Sequence, residues 1–386
     1  MNIRNMVRGS KFIFTILLIS GCFAQMTVAQ KKLPVLKANS KKVSIKDGSE
    51  LKVDTWNIVP EAKPDIYKTS SKRVTFYTDL DSMSFNINPK IGICDFIILL
   101  NGRDSAFTQI RYELPFLDKL KRAKDYDLSD NSVIPKFTYQ PMDNPSLVRI
   151  RHDFKLDSVA GSGNEISRIL NLMHWVHNAV RHDGNSDNPR LQNSADLIRV
   201  CKTEKRGVNC RMMATILNEC YLAMGIKSRF VTCLPKDTTD NDCHVIDMVY
   251  SKSLKKWLWI DPTFDAYVMN ENGVLMGIQE VRERLISGKP LILTPEANWN
   301  RINTQPQSYY LGYYMAKNLY RLRTPLASEY DTETWRSGKE IGYVDLLPLD
   351  GTQQNKQKKE RSFMNFGMKY TYYISSNPNL FWATPE

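Results

Sequence analysis

The chain has 386 residues, 42% hydrophobic and 24% charged, a globular balance that excludes a long disordered chain and leaves room for two modest domains. Its formal charge is +12, but the basic clusters at 119–124 and 356–361 lack the interleaved aromatics of a nucleic-acid stacking platform. Nucleic acid is therefore not an expected partner. The surplus charge reads first as a solvated surface, and second as an attraction for anionic envelope polymers.

Arg4, Arg8 and Lys11 precede residues 12–20 (FIFTILLIS), an apolar run too short to span a bilayer. Basic residues before a short apolar run describe a secretory signal peptide. Two ends fit it. Ile19-Ser20-Gly21-Cys22 has the form of a lipobox, which would put a lipid on Cys22; Thr27-Val28-Ala29 before Gln30 has the form of a small-residue cleavage site. The lipid anchor is favoured, because Cys22 directly follows the apolar run. Loss of residues 1–21 removes three basic residues and no acids, so the charge falls from +12 to +9. No later segment is a membrane-span candidate. An exported protein is expected, periplasmic or on the outer surface, touching membrane only through Cys22.

Residues 1–29 are thus assigned to the signal peptide and the Lys-rich 30–45 to a linker. Residues 46–150 read as a β-containing N-terminal module: 73–77 and 96–100 alternate like strands, and Asn101-Gly102 is a hairpin turn. Residues 125–150, rich in Asp, Asn and Pro, read as a loop or extended segment.

A core follows over 151–300. Asn164 can cap a helix in which Ile166, Ile169, Leu170, Met173, Val176 and Val180 recur at helical spacing. Asp183-Gly184 ends that helix, and Ser194 is placed as the N-cap of a shorter one. A third helix is expected over 211–224 after Gly207-Val208-Asn209-Cys210, with Gly225 as its left-handed stop. Strands are expected at 228–234, 243–250 and 256–260. A helix followed by an antiparallel meander is an α+β arrangement. The remaining stretch, 301–386, reads as an extension packed on that core. Its aromatic run at 309–320 is expected to be core, with a sugar or peptide platform as the rarer alternative.

Besides Cys22 the cysteines are Cys94, Cys201, Cys210, Cys220, Cys233 and Cys243. None forms a Cys-x-x-Cys pair, so neither a zinc ribbon nor a dithiol redox motif is indicated. One free nucleophile would leave an odd number, which argues against a full disulfide framework. Cys220, Cys233 and Cys243 are expected in the core. His174 and His177 stand at i, i+3 with His182 beyond, but no carboxylate is obviously placed to complete a metal site. No metal or other cofactor is called for.

Cys210 stands apart because it opens a helix, where free backbone N–H groups and the helix dipole favour a thiolate. His244 begins one strand and Asp261 ends the next. Pairing Tyr250 with Lys255 puts Met248 opposite Trp257, Ile246 opposite Trp259 and His244 opposite Asp261. Directly opposed Cβ atoms lie roughly 5 Å apart, close enough for the carboxylate to hold the imidazole and for the imidazole to take the thiol proton. Trp257 and Trp259 would share that face as packing residues. Each residue alone has a duller reading: a buried cysteine, a strand histidine, a turn aspartate. Their order and register raise them together.

The segments GVNCRMMATILNECYLAMGIKSRFVTC and DCHVIDMVYSKSLKKWLWIDPTF resemble the transglutaminase-like superfamily. The shared features are a Gly before a helix-starting Cys, Gly-Ile after that helix, a His opening a strand, and a Trp-rich strand ending in Asp-Pro-Thr. The resemblance covers about 160–268. It implies a papain-like core in which Cys210, His244 and Asp261 are the catalytic triad, cleaving or exchanging an amide through a thioester. It leaves the second oxyanion donor open among Asn209, Gln192 and Trp175. The expected activity is a cysteine peptidase or amidase on peptide or protein substrates, cell-wall peptides among them. Glutamine acyl transfer on the same triad and a non-catalytic envelope binding module are the alternatives.

Overall fold

The computed structural model describes residues 32–61, 63–352, 360–365 and 367–385. The expected signal peptide over 1–29, with Cys22, lies outside the described residues. No helix among those described is long and apolar enough to cross a membrane. The chain divides into two units with the boundary between Glu113 and Leu114.

The first unit is built from two four-stranded sheets. One runs β1 (Val35–Ala38), β7 (Ile93–Leu100), β8 (Asp104–Tyr112), β4 (Asp65–Thr69); the other runs β3 (Glu50–Asn57), β2 (Lys42–Asp47), β5 (Arg73–Tyr77), β6 (Ser82–Asn86). Alternation places Leu36, Phe96 and Ile98 of one sheet and Val43, Ile45, Val74 and Phe76 of the other in a shared core. Asn101 and Gly102 both have positive φ, the left-handed pair that a tight hairpin between β7 and β8 requires. The linker expected over 30–45 is corrected: it supplies β1 and begins β2. β1 pairs in parallel with β7, Val35 against Ile97, so its partner is far away in sequence and local composition does not disclose it. The expected boundary at 150 is likewise corrected to 113.

The second unit is α+β, as its pattern indicates. A seven-stranded sheet runs β11 (Lys256–Ile260), β10 (His244–Ser251), β9 (Ser228–Leu234), β12 (Arg321–Pro325), β13 (Glu340–Leu346), β15 (Met368–Ser375), β14 (Glu360–Asn365). The stretch 301–386 therefore continues the core sheet. Three helices, α1 (Glu165–Ala179), α2 (Ser194–Thr203) and α3 (Cys210–Ala223), pack together on one face. Asn164 and Asn193 cap the first two through their side chains, so the cap expected at Ser194 falls one residue earlier. α1 stops at Ala179, short of Asp183-Gly184.

Helix α3 is the spine of this layer. All its residues from Met212 to Ala223 are buried, and each large apolar side chain among them contributes about 1.5–3 kcal/mol of transfer free energy. Gly225 follows at φ 68°, the left-handed residue that ends the helix. The opposite face of the sheet carries Met248, Trp257 and Trp259 into a second core with Tyr310, Met315 and Phe381.

Candidate active site

Cys210 is the first residue of α3 and is half-buried. Asn209 caps the helix, its side chain accepting the Met212 N–H at 3.1 Å. That leaves the amide of Cys210 itself outside the helical ladder, with the positive end of the dipole at the sulfur. Gly207 is required just upstream. A Cβ there would stand 2.7 Å from the Arg181 carbonyl and from the Asp183 Cβ. The close approach lets Arg181–Asp183 run beside the residues that enter α3, through Val208 N–H to Arg181 O at 2.9 Å and Asp183 N–H to Val208 O at 2.8 Å.

His244 and Asp261 meet, but not in the expected register. The ladder pairs Tyr250 with Trp257, Met248 with Trp259 and Asp247 with Ile260, two residues away from the sequence-based pairing. Asp261 then falls across from Ile246 and diagonal to His244. A shift of two preserves the face on which every side chain stands, whereas a shift of one would reverse it. Diagonal neighbours remain within reach of long side chains, and His244 Nε2 lies 2.7 Å from Asp261 Oδ2. The register is set at the hairpin end, where Ser251 pairs with Lys256. There the Glu165 carboxylate accepts the N–H groups of Lys252 and Ser253, both at 2.8 Å, and the hydroxyls of Ser251 and Ser253 at 2.8 and 2.6 Å. Lys255, at φ 52°, completes the turn.

Asp261 is fully buried and well supplied with donors. Besides His244 it accepts the Thr263 N–H at 2.9 Å, the Phe264 N–H at 3.3 Å and the Tyr310 hydroxyl at 2.6 Å. The 309–320 stretch is thus more than core. Tyr310–Met315 is a π-helix, a rare element frequent at functional sites. Its register turns Tyr310 onto Asp261 and Tyr314 onto the His244 ring, 5.2 Å between centroids. Phe264 closes the other side of that ring at 5.4 Å. Trp257 and Trp259 pack on the same face as expected; Trp259 donates to Tyr310 at 3.2 Å.

Burial on its own would raise the Cys210 thiol, but hydrogen bonds with His182 and His244 and the charge of His244 bring it down to about 6. Burial on its own would lower His244; the Asp261 charge and hydrogen bond outweigh it and push the imidazole up to about 10. Nδ1 of His244 is buried and, among the described residues, has no partner beyond the thiol it faces. Both displacements favour a thiolate beside an imidazolium.

His182 was not singled out in the sequence as a neighbour of Cys210. In the sequence it stood in the trio His174, His177 and His182 and in Arg181-His182-Asp183, which resembles the family's lead-in to the nucleophile; the structure sends each of the three histidines to different work. His174 pairs with Asp265 at 2.6 Å, and His177 bonds the Pro262 carbonyl and Asn298, both at 3.0 Å. Among the described residues, no three His, Cys, Asp or Glu side chains gather where they could hold a metal. Of the three oxyanion candidates, Asn209 spends its side-chain amide on the helix cap and on Asn188; the Gln192 backbone N–H bonds Thr334 and the Trp175 ring packs on Phe154. Cys243, expected in the core, is half-buried and close enough to Cys210 for their charges to interact. It precedes β10, so strand alternation does not bury it. Cys220 and Cys233 are buried as expected.

Residues 153–262 match the transglutaminase-like superfamily, nearly the stretch on which the sequence resemblance rests. No curated protein matches the chain significantly. Among solved structures, one similarity is to a candidate cysteine protease from Cytophaga hutchinsonii, 19% identical with a TM-score of 0.25, over 38% of this chain and 46% of that one. Another is to red sea bream transglutaminase, 9% identical with a TM-score of 0.22, over 65% of this chain and 52% of that one. The chain spans about half the length of each.

Proposed function

We propose, from the premise that residues 153–262 are a transglutaminase-like domain, that the protein is an exported cysteine amidohydrolase acting on peptide or side-chain amide bonds. Cys210 is the nucleophile, His244 the general base and acid, and Asp261 the residue that orients His244. The thiolate attacks the amide carbonyl carbon, and the π electrons pass to oxygen. Collapse of that adduct breaks the C–N bond as the nitrogen takes the proton from His244, leaving a thioester on Cys210. Water attacks the thioester, gives a proton to His244 and releases the acid, which restores the thiolate.

The observation that carries this reading is geometric: Cys210 opens a helix beside His244, whose Nε2 lies 2.7 Å from the fully buried Asp261, and in that setting the thiol is lowered and the imidazole raised. Perturbation of that kind in a cysteine–histidine pair is characteristic of catalytic sites. Hydrolysis is preferred to acyl transfer because water is the abundant acceptor. The export reading rests on the basic-then-apolar N-terminus, which also allows a lipid on Cys22.

The test is the pH dependence of Cys210 alkylation by iodoacetamide, read by peptide mass spectrometry beside His244→Ala. The proposal expects a midpoint near 6, ahead of the other cysteines, and a move towards the ordinary thiol value of about 8.5 in the variant. A peptide screen with and without an added primary amine then separates hydrolysis from acyl transfer. An ordinary Cys210 midpoint indifferent to His244 ends the enzyme reading.

A further inference from the structure

The Cys210 thiol hydrogen-bonds with two imidazoles, His244 and His182, the latter carried beside it by the Val208 bridge, and their outer partners differ in kind. His244 donates its Nε2–H to a carboxylate, Asp261, at 2.7 Å, which turns Nδ1 towards the thiol to exchange its proton. His182 has no carboxylate on its outer nitrogen. There the indole N–H of Trp299 donates to His182 Nδ1 at 3.0 Å. An imidazole nitrogen that accepts a hydrogen bond carries no proton, so the neutral ring must carry its proton on Nε2. Towards the sulfur, then, His182 offers a donor and no acceptor.

The position of this donor is fixed on three sides. The Asn300 side chain clasps the His182 backbone, accepting its N–H at 2.7 Å and donating to its carbonyl at 2.9 Å. Val208 bridges to His182 in parallel, directly before the nucleophile helix, and Gly207 permits that approach. Trp299 and Asn300 both sit at the hairpin of Asn298–Trp299 with Asn303–Thr304, whose turn residues Asn300 and Arg301 are left-handed. A side chain held this firmly suits a role in which geometry must be ready before charge develops.

We infer that His182 is the second oxyanion donor, its Nε2–H acting with the Cys210 backbone N–H on the oxygen that becomes negative when the thiolate adds to a carbonyl, and that Trp299 is the positioning residue that fixes its tautomer. This inference rests on the proposed nucleophile. No proton passes from His182 in the step. The sulfur–carbon bond forms, the carbonyl π pair moves onto oxygen, and both donors keep their hydrogens. The role thereby divides between the two histidines: the one backed by a carboxylate moves the proton, and the one backed by an indole stabilises charge.

Two reagents separate the roles. Iodoacetamide alkylates the thiolate by displacement and develops no oxyanion. p-Nitrophenyl acetate acetylates it through a tetrahedral adduct, releasing p-nitrophenolate and leaving a thioacetyl group on Cys210. Both rates are measured on the full-length protein, for each variant on the plateau of its own alkylation profile. His182→Leu should lower acetylation by about 10²–10³-fold and alkylation by less than about 3-fold. His182→Gln, which retains an N–H donor, should recover most of that loss. Trp299→Phe should fall between, because it keeps the imidazole and frees its tautomer. If His182→Leu is unstable, the glutamine and phenylalanine variants carry the comparison. Equal losses in both reactions, or acetylation of His182→Leu and Trp299→Phe at the unaltered rate, overturn the inference. An ordinary alkylation midpoint for Cys210 in the unaltered protein would instead sink the nucleophile on which it stands.

Discussion

Asp247 on β10 and Asp261, the residue directly after β11, are both fully buried and face opposite sides of the sheet. Asp261 faces the second core and receives four hydrogen bonds, from His244, Tyr310, Thr263 and Phe264. Asp247 faces the helices, and neither of its oxygens has a hydrogen-bond partner among the described residues. Burial, reinforced by the negative charge of Asp261, drives the Asp247 carboxyl well above the ordinary carboxylate range. Equal burial therefore leaves the two acids in different settings: donors are aimed at Asp261 and not at Asp247. A supplied carboxylate can work on its neighbour: the charge of Asp261 raises His244, which in turn lowers Cys210. An unsupplied one is a standing cost to stability.

The sharpest way to break this contrast is to neutralise each acid in turn. Asp261→Asn should lower turnover of any substrate found in the peptide screen by about 10²–10⁴-fold, while Asp247→Asn should leave it within about 2-fold. In the unaltered protein, turnover should rise through about pH 6 as Cys210 becomes thiolate and fall towards about pH 10 as His244 loses its proton. Losing the pH 6 limb in Asp261→Asn would link the thiol to the carboxylate through His244. An equal loss in Asp247→Asn would mean that the two faces are not separable.

Asp247→Asn should show its effect in stability, with a definite pH dependence. The folded pKa lies above the unfolded value of about 3.9, so unfolding releases a proton and the unaltered protein loses stability as pH rises above about 4. The asparagine variant has no such slope. Measured by urea denaturation, the variant should gain about 1–3 kcal/mol over the unaltered protein at pH 7 and match it near pH 4. A gain that does not vary with pH would mean that Asp247 is not held neutral by burial.

The parts of this arrangement that were legible in sequence are those written locally. The strand spans Ser228–Leu234 and Lys256–Ile260, the helix that Cys210 opens and the hairpin at Asn101-Gly102 all follow from periodicity or turn chemistry within a few residues. What was missed depends on distant partners. β1 is a strand only because β7 accepts it in parallel. The β10–β11 register differs by two from the local reading, and Glu165, 86 residues from Ser251, ties its turn. His182 gains its meaning from Trp299, 117 residues away. The alternation that put His244 and Asp261 on one face survived the wrong register, because a slip by an even number keeps the face.

Tyr310 offers a finer cut through the supplied side of the comparison. Tyr310→Phe removes one donor of four from Asp261 and keeps the ring that packs against Trp259 and Phe264. With three donors left, turnover should drop by about 10-fold, the effect of about 1.4 kcal/mol. The pH midpoint of Cys210 alkylation should move in step. A loss as large as that of Asp261→Asn would show that the hydroxyl is needed as such.

The smallest effect should come from Glu165, which ties the hairpin whose register decides the faces of both acids. Its carboxyl is held down to about 2: burial opposes this, and hydrogen bonds from Ser253, Lys252 and Ser251 more than offset it. Because the folded value lies below the unfolded one of about 4.3, the stability it contributes is present above that pH and is lost as pH falls towards 2. The group is partly exposed, so its share is about 1 kcal/mol. Glu165→Gln should therefore lose about that much at pH 7 in urea denaturation, and the difference should close between about pH 4 and pH 2. Its Cys210 alkylation profile should stay unchanged, because four further residues of β10 still pair with β11 and hold Asp261 on the face of His244. A displaced profile would mean that the turn alone, without the rest of the ladder, keeps the supplied acid on the side of the thiol.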